Sequence, residues 1–345
     1  MAVVPTPSSL GYFMPSEWHE HSATWLAWPK NALTFPPRVL PQVEQTFLQM
    51  IAAISQGERC NVLLDSFAAM DRVDKLIANA GANTENVALH PIQSADVWIR
   101  DYGPTFLVNR RGANKAAVKW EFNAWGGKYD DLLPDNQTGN AVAAASHAEI
   151  FRPGIVMEGG SFDSNGAGSL LTTKQCLLNK NRNPNLSQKQ IEQHLHDFLG
   201  VNSIIWLNEG LEGDDTDGHV DDFARFVSQK SVVCCTEKSQ SDKNFKPLAE
   251  AKQILHDAGC EVIGLPMPAP LIDNEESRRL PASHANFYIC NKSVLLPAFG
   301  GESDKQAREI LEGCFKGREI VLINSKELVF GYGGIHCATQ QEPKN

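Results

Sequence analysis

The stretch SLLTTKQCLLNKNRNPNLSQKQIEQHLHDFLGVNSIIWL (169–207) holds one complete structural unit. It opens on SLLTT (169–173) and closes on SIIWL (203–207), two short runs rich in β-formers. Between them Ser187 is followed three residues later by Gln190, the spacing of a capping box. Ile191, Leu195 and Phe198 then share one helical face, and Gly200 marks the stop. The pattern predicts strand, helix, strand.

The same alternation continues in both directions. Val43, Phe47, Met50, Ile51 and Ile54 recur at helical spacing. Further helices are expected over 66–80, stopped at Gly81, and over 247–258 and 303–316, followed by Gly259 and Gly317. Apolar runs at 61–64, 105–109, 231–235, 261–265, 293–297 and 319–323 read as strands. Helices and strands interleaved along the whole length indicate an α/β fold built from recurring units. Periodicity leaves open whether those units form an open sheet, a barrel or separate modules. No linker, charge block or low-complexity run interrupts the chain, so residues 1–345 are expected to form a single compact domain.

A chain of 345 residues can bury a sizeable core without disulfides or a structural metal. The formal charge of −10, with no cluster of Lys or Arg, argues against nucleic acid as a partner and is compatible with a cationic one. No apolar run is long enough to span a membrane, and the N-terminal segment lacks the basic-then-apolar pattern of a secretory signal. The eight cysteines form no C-x-x-C pair. Reduced thiols in a cytoplasmic protein, one of them reactive, are the expectation.

Four polar, Gly-containing stretches beside apolar strands carry the candidate chemistry: DVWIRDYGP (96–104), MEGGSFD (157–163), GDDTDGHVDD (213–222) and GYGGIHCATQQ (331–341). Cys337 follows a Gly-rich turn and is the natural nucleophile, since a thiolate attacks electrophilic carbon once its pKa falls or a base is near. A lone cysteine is more often a buried, inert one; here its surroundings tip the balance. His219 lies among aspartates that favour its protonated form, which suits proton donation near neutrality. His336 adjoins Cys337, and on an extended strand the two would face opposite ways. Carboxylates accept parallel hydrogen bonds from a guanidinium, so Asp101, Asp221 and Glu158, drawn from separate loops, are suited to clamp one. The EF-hand, phosphate-loop, nucleophile-elbow and zinc spacings are all missing from the sequence. The H-x-H pairs His19/His21 and His194/His196 lack a nearby third ligand and read as surface or packing residues.

Together these stretches resemble the agmatine deiminase family of guanidine-modifying enzymes. The likeness extends to MPSEWHEHSATWLAWP (14–29), EFNAWGGKYD (121–130) and CLLNKNRNP (176–184), and so runs from about residue 11 to the C-terminus. It implies a five-bladed, pseudo-symmetric α/β propeller of the pentein type. It also implies cofactor-free, metal-free hydrolysis of agmatine to N-carbamoylputrescine and ammonia, a step in putrescine formation.

By the same resemblance Cys337 is the nucleophile and His219 the general acid/base. Asp101 (not Asp96), Asp221 and Glu158 bind the guanidinium, with Trp98 and Trp125 beside them, and the protein is a homodimer. One departure stands out: many members have G-G-G-N before I-H-C, where this chain has Gly331, Tyr332, Gly333 and Gly334. Two other readings remain at this stage. One is a deiminase of free or peptidyl arginine. The other is a non-catalytic acidic protein that binds polyamines or a divalent cation through GDDTDGHVDD.

Overall fold

A computed structural model describes residues 5–345, apart from 113, 274 and 276. Its main sheets are five, and they repeat one plan: an inner strand runs antiparallel to a middle strand, and the middle strand runs parallel to an outer one. The first sheet uses Thr105–Asn109, Lys115–Val118 and Glu149–Phe151, with Tyr12–Phe13 added along the inner edge. The second uses Phe162–Ser164, Ser169–Thr173 and Ser203–Leu207. The third uses Ala224–Phe226, Ser231–Thr236 and Glu261–Pro266, and the fourth Tyr288–Ile289, Ser293–Ala298 and Glu319–Asn324.

The fifth sheet joins the two ends of the chain. Its inner strand, Gln340–Pro343, pairs antiparallel with His21–Ala27, which runs parallel to Arg59–Leu63 and then Val87–His90. Inner strands of neighbouring sheets touch, 340–343 against 105–109 and 162–164 against 224–226. The architecture is the five-bladed α/β propeller expected from the resemblance. A separate hairpin pairs Ile272–Asp273 with Arg278–Arg279.

A helix carries the chain from middle to outer strand in each blade, because parallel neighbours need a crossover long enough to return the chain. Leu40–Ile54 buries Val43, Phe47, Met50, Ile51 and Ile54, the stripe read from the sequence. Gln188–Leu199 has the Ser187/Gln190 capping box and ends at Gly200 with φ 65°. Ile191, Leu195 and Leu199 are its buried residues; Phe198 is only partly covered. The other expected helices span Phe67–Asn79, Phe245–Asp257 and Glu302–Cys314. Asp135–Ala145 escapes pattern reading because it has no apolar stripe and contains Gly139. That glycine is required: a Cβ there would collide with the carbonyl of Tyr102, in the turn that bears Asp101.

The repeat also places the site. In every blade the turn that enters the inner strand holds a polar residue: Asp101 before 105–109, Glu158 before 162–164, Asp221 before 224–226, Asn286 before 288–289 and Cys337 before 340–343. Five separate segments of sequence thus deliver side chains to one place.

Candidate active site

Cys337 sits in a tight turn over residues 335–338, closed by Ala338 N–H donating to Gly334 O. Its backbone carbonyl accepts from Arg100 N at 3.1 Å, which ties the turn to the segment carrying Asp101. The sulfur lies 3.9 Å from Asp221 Oδ2 and 3.2 Å from Asn286 Nδ2. Burial pushes the thiol well above its ordinary pKa, and Asp221, Asp222 and Asp101 push it further.

Asp101 is held by two donors, Trp125 Nε1 at 2.9 Å on Oδ2 and Gly160 N at 3.0 Å on Oδ1. Burial raises its pKa to about 6, with His219 opposing the rise and Asp221 and Glu158 adding to it. His219 Nδ1 is 3.7 Å from Asp101 Oδ1, and Nε2 is 3.9 Å from Glu158 Oε2. Burial alone would lower the imidazole pKa; Asp101 first, then Cys176 and Glu158, hold it well above its usual value. Cys176, Glu158 and His219 bring their polar atoms within 4.8 Å of one another.

Glu158 does not hydrogen-bond His219. Its Oε1 accepts from Arg182 Nε at 2.7 Å, and Arg182 also pairs with Asp217 at 2.5 Å. Burial would raise the Glu158 pKa, but Arg182 foremost keeps it below the usual range. Asp221 behaves alike: the His336 hydrogen bond and charge outweigh burial and hold it low.

Gly160 faces all three groups. A Cβ on it would lie 2.6 Å from His219 Nδ1, 2.9 Å from Asp101 Oδ1 and 3.1 Å from Asp221 Oδ1, so a side chain here would fill the space they share. Both His219 nitrogens, Asp221 Oδ1 and Glu158 Oε2 are buried without a hydrogen-bond partner among the described residues. Buried polar atoms of this kind are rare away from functional sites.

A cavity of about 420 Å³ opens over Cys337 and Asp101 and is walled by Trp98 and Trp125. Asp131, Asp215, Asp273 and Glu275 lie along it, with Arg38 and Arg278. Of the seven residues singled out from the sequence, Cys337, Asp101, Trp98 and Trp125 line this cavity, and Asp221, His219 and Glu158 adjoin it through Cys337, Asp101 and His219 respectively.

A model of the Porphyromonas-type peptidyl-arginine deiminase family matches residues 13–343. The chain belongs to that family. Within it the chain is 36% identical to the agmatine deiminase of Stutzerimonas stutzeri, over 98% of this chain and 97% of the relative. The structure of the Enterococcus faecalis agmatine deiminase superposes with a TM-score of 0.89 at 32% identity, covering 99% of this chain and 98% of that one. A substrate-bound C. jejuni agmatine deiminase gives 0.87 at 27% identity, with 97% of each chain covered.

His336 does not line the cavity that Cys337 lines, as expected, but strand alternation is not the reason. Residues 335–338 form a turn, so strand alternation does not apply, and His336 Nδ1 lies 2.6 Å from Asp221 Oδ2. Its Nε2 lies 2.6 Å from Glu17 Oε2, and Arg225 Nη2 donates to that same oxygen at 2.8 Å. His21 is another buried residue, bonded to Glu58 at 2.9 Å. Asp96, set aside in favour of Asp101, accepts from Asn31 and Thr34.

Asn286, Asp222, Arg182 and Cys176 were missed, although Asp222, Arg182 and Cys176 lie inside stretches already singled out. Asn286 offered no signal, because the two-residue strand Tyr288–Ile289 that follows it was not among the expected strands. Asn286 also explains Gly334, because a Cβ on Gly334 would collide with its Oδ1. Tyr332 takes the left-handed conformation (φ 61°, ψ 25°), and the Arg278 guanidinium lies 4.1 Å from its ring centroid.

Proposed function

We propose that this protein is an agmatine deiminase that hydrolyses agmatine to N-carbamoylputrescine and ammonia. The observation that carries the reading is the gathering of Asp101, Asp221 and His219 around the small space faced by Gly160, with Cys337 3.9 Å from Asp221 and beside Asp101 on the cavity wall. A guanidinium brings five N–H donors in a planar fork, which suits the acids gathered there. The cavity's acidic lining, Asp215, Asp131, Asp273 and Glu275, suits the ammonium at the other end of the substrate.

In this mechanism Asp101 and Asp221 hold the guanidinium over the sulfur. Its positive charge offsets the acids that keep Cys337 protonated, so thiolate formation is coupled to binding. The thiolate attacks the guanidinium carbon to give a tetrahedral adduct. His219 donates a proton to one nitrogen, the C–N bond breaks and ammonia leaves, giving a covalent amidino-thioether. His219 then takes a proton from water as it attacks the same carbon. The C–S bond breaks, Cys337 is restored and the ureido product leaves. Glu158, fixed by Arg182, supplies the charge beside His219 Nε2.

The reading includes one cytoplasmic, metal-free catalytic domain acting in putrescine supply as a homodimer. No helix among the described residues is long and apolar enough to cross a membrane. A second reading, with free arginine as substrate, draws on Arg38 and Arg278 along the cavity, either of which would receive an α-carboxylate. The test incubates purified protein with agmatine and, separately, with arginine, and follows ammonia and ureido product. Release from agmatine alone, abolished in Cys337→Ala with agmatine binding retained, is the expected result. Release from arginine alone would replace the substrate, and substantial turnover by the variant would sink the covalent route.

A further inference from the structure

Glu158, Cys176 and His219 form a buried cluster with bonding capacity that the reaction leaves unused; they are 0%, 0% and 1% exposed. Glu158 Oε2 and both His219 nitrogens have no hydrogen-bond partner among the described residues. Glu158 Oε2 and His219 Nε2 are 3.9 Å apart, and one ligand atom from each of the three residues lies within 4.8 Å of the others. No sequence spacing announces the group, because its members come from the turn before 162–164, the short helix Lys174–Leu177 and the loop before 220–222.

Neighbouring bonds set these residues in place and leave the ligand atoms free. Arg182 Nε donates to Glu158 Oε1 at 2.7 Å, so Oε2 is the oxygen left over. Arg182 Nη2 donates to Thr216 O at 2.8 Å and so fixes the loop that leads to His219. Thr173 Oγ1 accepts from Cys176 N at 3.2 Å and donates to Gly218 O at 2.6 Å, which joins the Cys176 helix to the residue before His219. Supporting bonds of this kind orient the ligands of a metal ion.

We infer that Cys176, His219 and Glu158 form a site for a soft divalent cation of the zinc class, and that filling it switches the enzyme off. Thiolate, imidazole and carboxylate together suit zinc; calcium and magnesium prefer oxygen alone. Zinc bonds of about 2.0–2.3 Å imply tetrahedral ligand separations of roughly 3.3–3.8 Å, so the 3.9 Å between Nε2 and Oε2 needs little closure. Binding replaces the Cys176 S–H bond with a sulfur–metal bond, and the proton goes to solvent. Water takes the fourth position. Asp101, which lines the open cavity, lies 3.7 Å from His219 Nδ1, so the ion has an approach from that side. The inhibitory effect rests on the reading of His219 as proton donor and acceptor, because a metal on Nε2 prevents the ring from becoming an imidazolium. The other mixed group, Asp221, Asp222 and Cys337, is a poorer site: Asn286 Nδ2 already faces Asp222 Oδ1 and Cys337 Sγ, and His336 engages Asp221 Oδ2.

The test titrates Co²⁺ into the purified protein, first stripped with EDTA, and follows the sulfur-to-cobalt charge-transfer band in the near ultraviolet. The site predicts a band that saturates at about one equivalent, persists in Cys337→Ala and is lost in Cys176→Ser. Zn²⁺ should bleach the band and lower kcat for agmatine at least tenfold, with recovery on adding EDTA. In Cys176→Ser the Zn²⁺ concentration for half-inhibition, taken against that variant's own metal-free rate, should rise at least tenfold.

No band in the wild type, or a band that survives in Cys176→Ser, overturns the inference; loss of the band in Cys337→Ala does so too, by placing the metal on the nucleophile. If Cys176→Ser fails to fold, Glu158→Gln must weaken Co²⁺ binding at least tenfold, and unchanged binding overturns the site. A wild-type band with turnover unaffected by Zn²⁺ would overturn the switch. The band needs no substrate, so absence of agmatine turnover by the metal-free wild type would count against the proposed activity and leave the test of the site in force.

Discussion

His336 Nδ1 lies 2.6 Å from Asp221 Oδ2, and the same ring reaches Glu17 Oε2 at 2.6 Å through Nε2. The residue next to Cys337 in sequence therefore joins Asp221 to a carboxylate that Arg225 also holds. Glu17 is kept well below the ordinary carboxylate range; burial would raise it, but Arg225, His336 and Arg100 prevail.

His336→Asn should destabilise the protein in a pH-dependent way. Asp221 has a depressed folded pKa, so its contribution is present above the unfolded value near 4 and lost as pH falls through the folded value. Removing one partner of such a buried pair costs on the order of 3–5 kcal/mol. Urea unfolding at pH 7 should show a loss of that order, and at pH 3.5 a clearly smaller one. Equal losses at the two pH values would mean that His336 only fills space.

The Cys337 thiol should be a poor nucleophile until a guanidinium arrives. Burial and the three acids keep it protonated at neutral pH. The rate of iodoacetamide labelling at Cys337 should still be rising above pH 9, whereas kcat for agmatine should reach its plateau at least two pH units lower. Coincident profiles would show that the thiolate is formed before the substrate binds.

Much of the site was legible in the sequence because its chemistry is concentrated in short motifs. A cysteine after glycines and a histidine among aspartates are uncommon company; the first signal led to a residue lining the cavity and the second to one 3.7 Å from Asp101, which also lines it. The strand and helix limits followed from local patterns wherever an apolar run or stripe existed, as at Leu40–Ile54 and Ser203–Leu207. Their arrangement in space did not, because five short sheets and one long sheet produce the same periodicity. The contact of His336 with Asp221 was missed because a turn replaced the assumed strand. Asn286 was invisible for another reason: a single Asn beside an apolar strand has no chemical signature until the blades are superimposed.

Asp101 should set an acid limit on activity and exert the opposite stability effect from Asp221. Its folded pKa is raised to about 6, so the folded state keeps a proton that the unfolded chain has lost between roughly pH 4 and 6. Stability from this group is therefore highest at low pH and falls as pH rises, by on the order of 3 kcal/mol for a shift of this size. The value of kcat/KM for agmatine should drop below about pH 6. Asp101→Asn should raise KM at least tenfold and gain stability relative to wild type between pH 4 and 7.5. A relative loss of stability over that range would show that the charge is favourable in the folded state.

Tyr332 and Arg278 should govern what shape of substrate enters. A tyrosine in the left-handed region carries a backbone cost on the order of 1–2 kcal/mol that glycine avoids. Its ring offsets that cost by packing with Phe330 against Leu280, Ala282, Phe299 and Val329, and by lying under the Arg278 guanidinium. Tyr332→Gly should thus leave the melting temperature within a few degrees of wild type, since the two effects nearly cancel. The cavity, however, loses part of its wall. Agmatine, slender and unbranched, should lose less than tenfold in kcat/KM, while a blocked arginine amide should gain relative to agmatine by tenfold or more. If the ratio of the two substrates stays constant in Tyr332→Gly and in Arg278→Ala, selection occurs deeper, at Trp98 and Trp125, and the pair is only a structural strut.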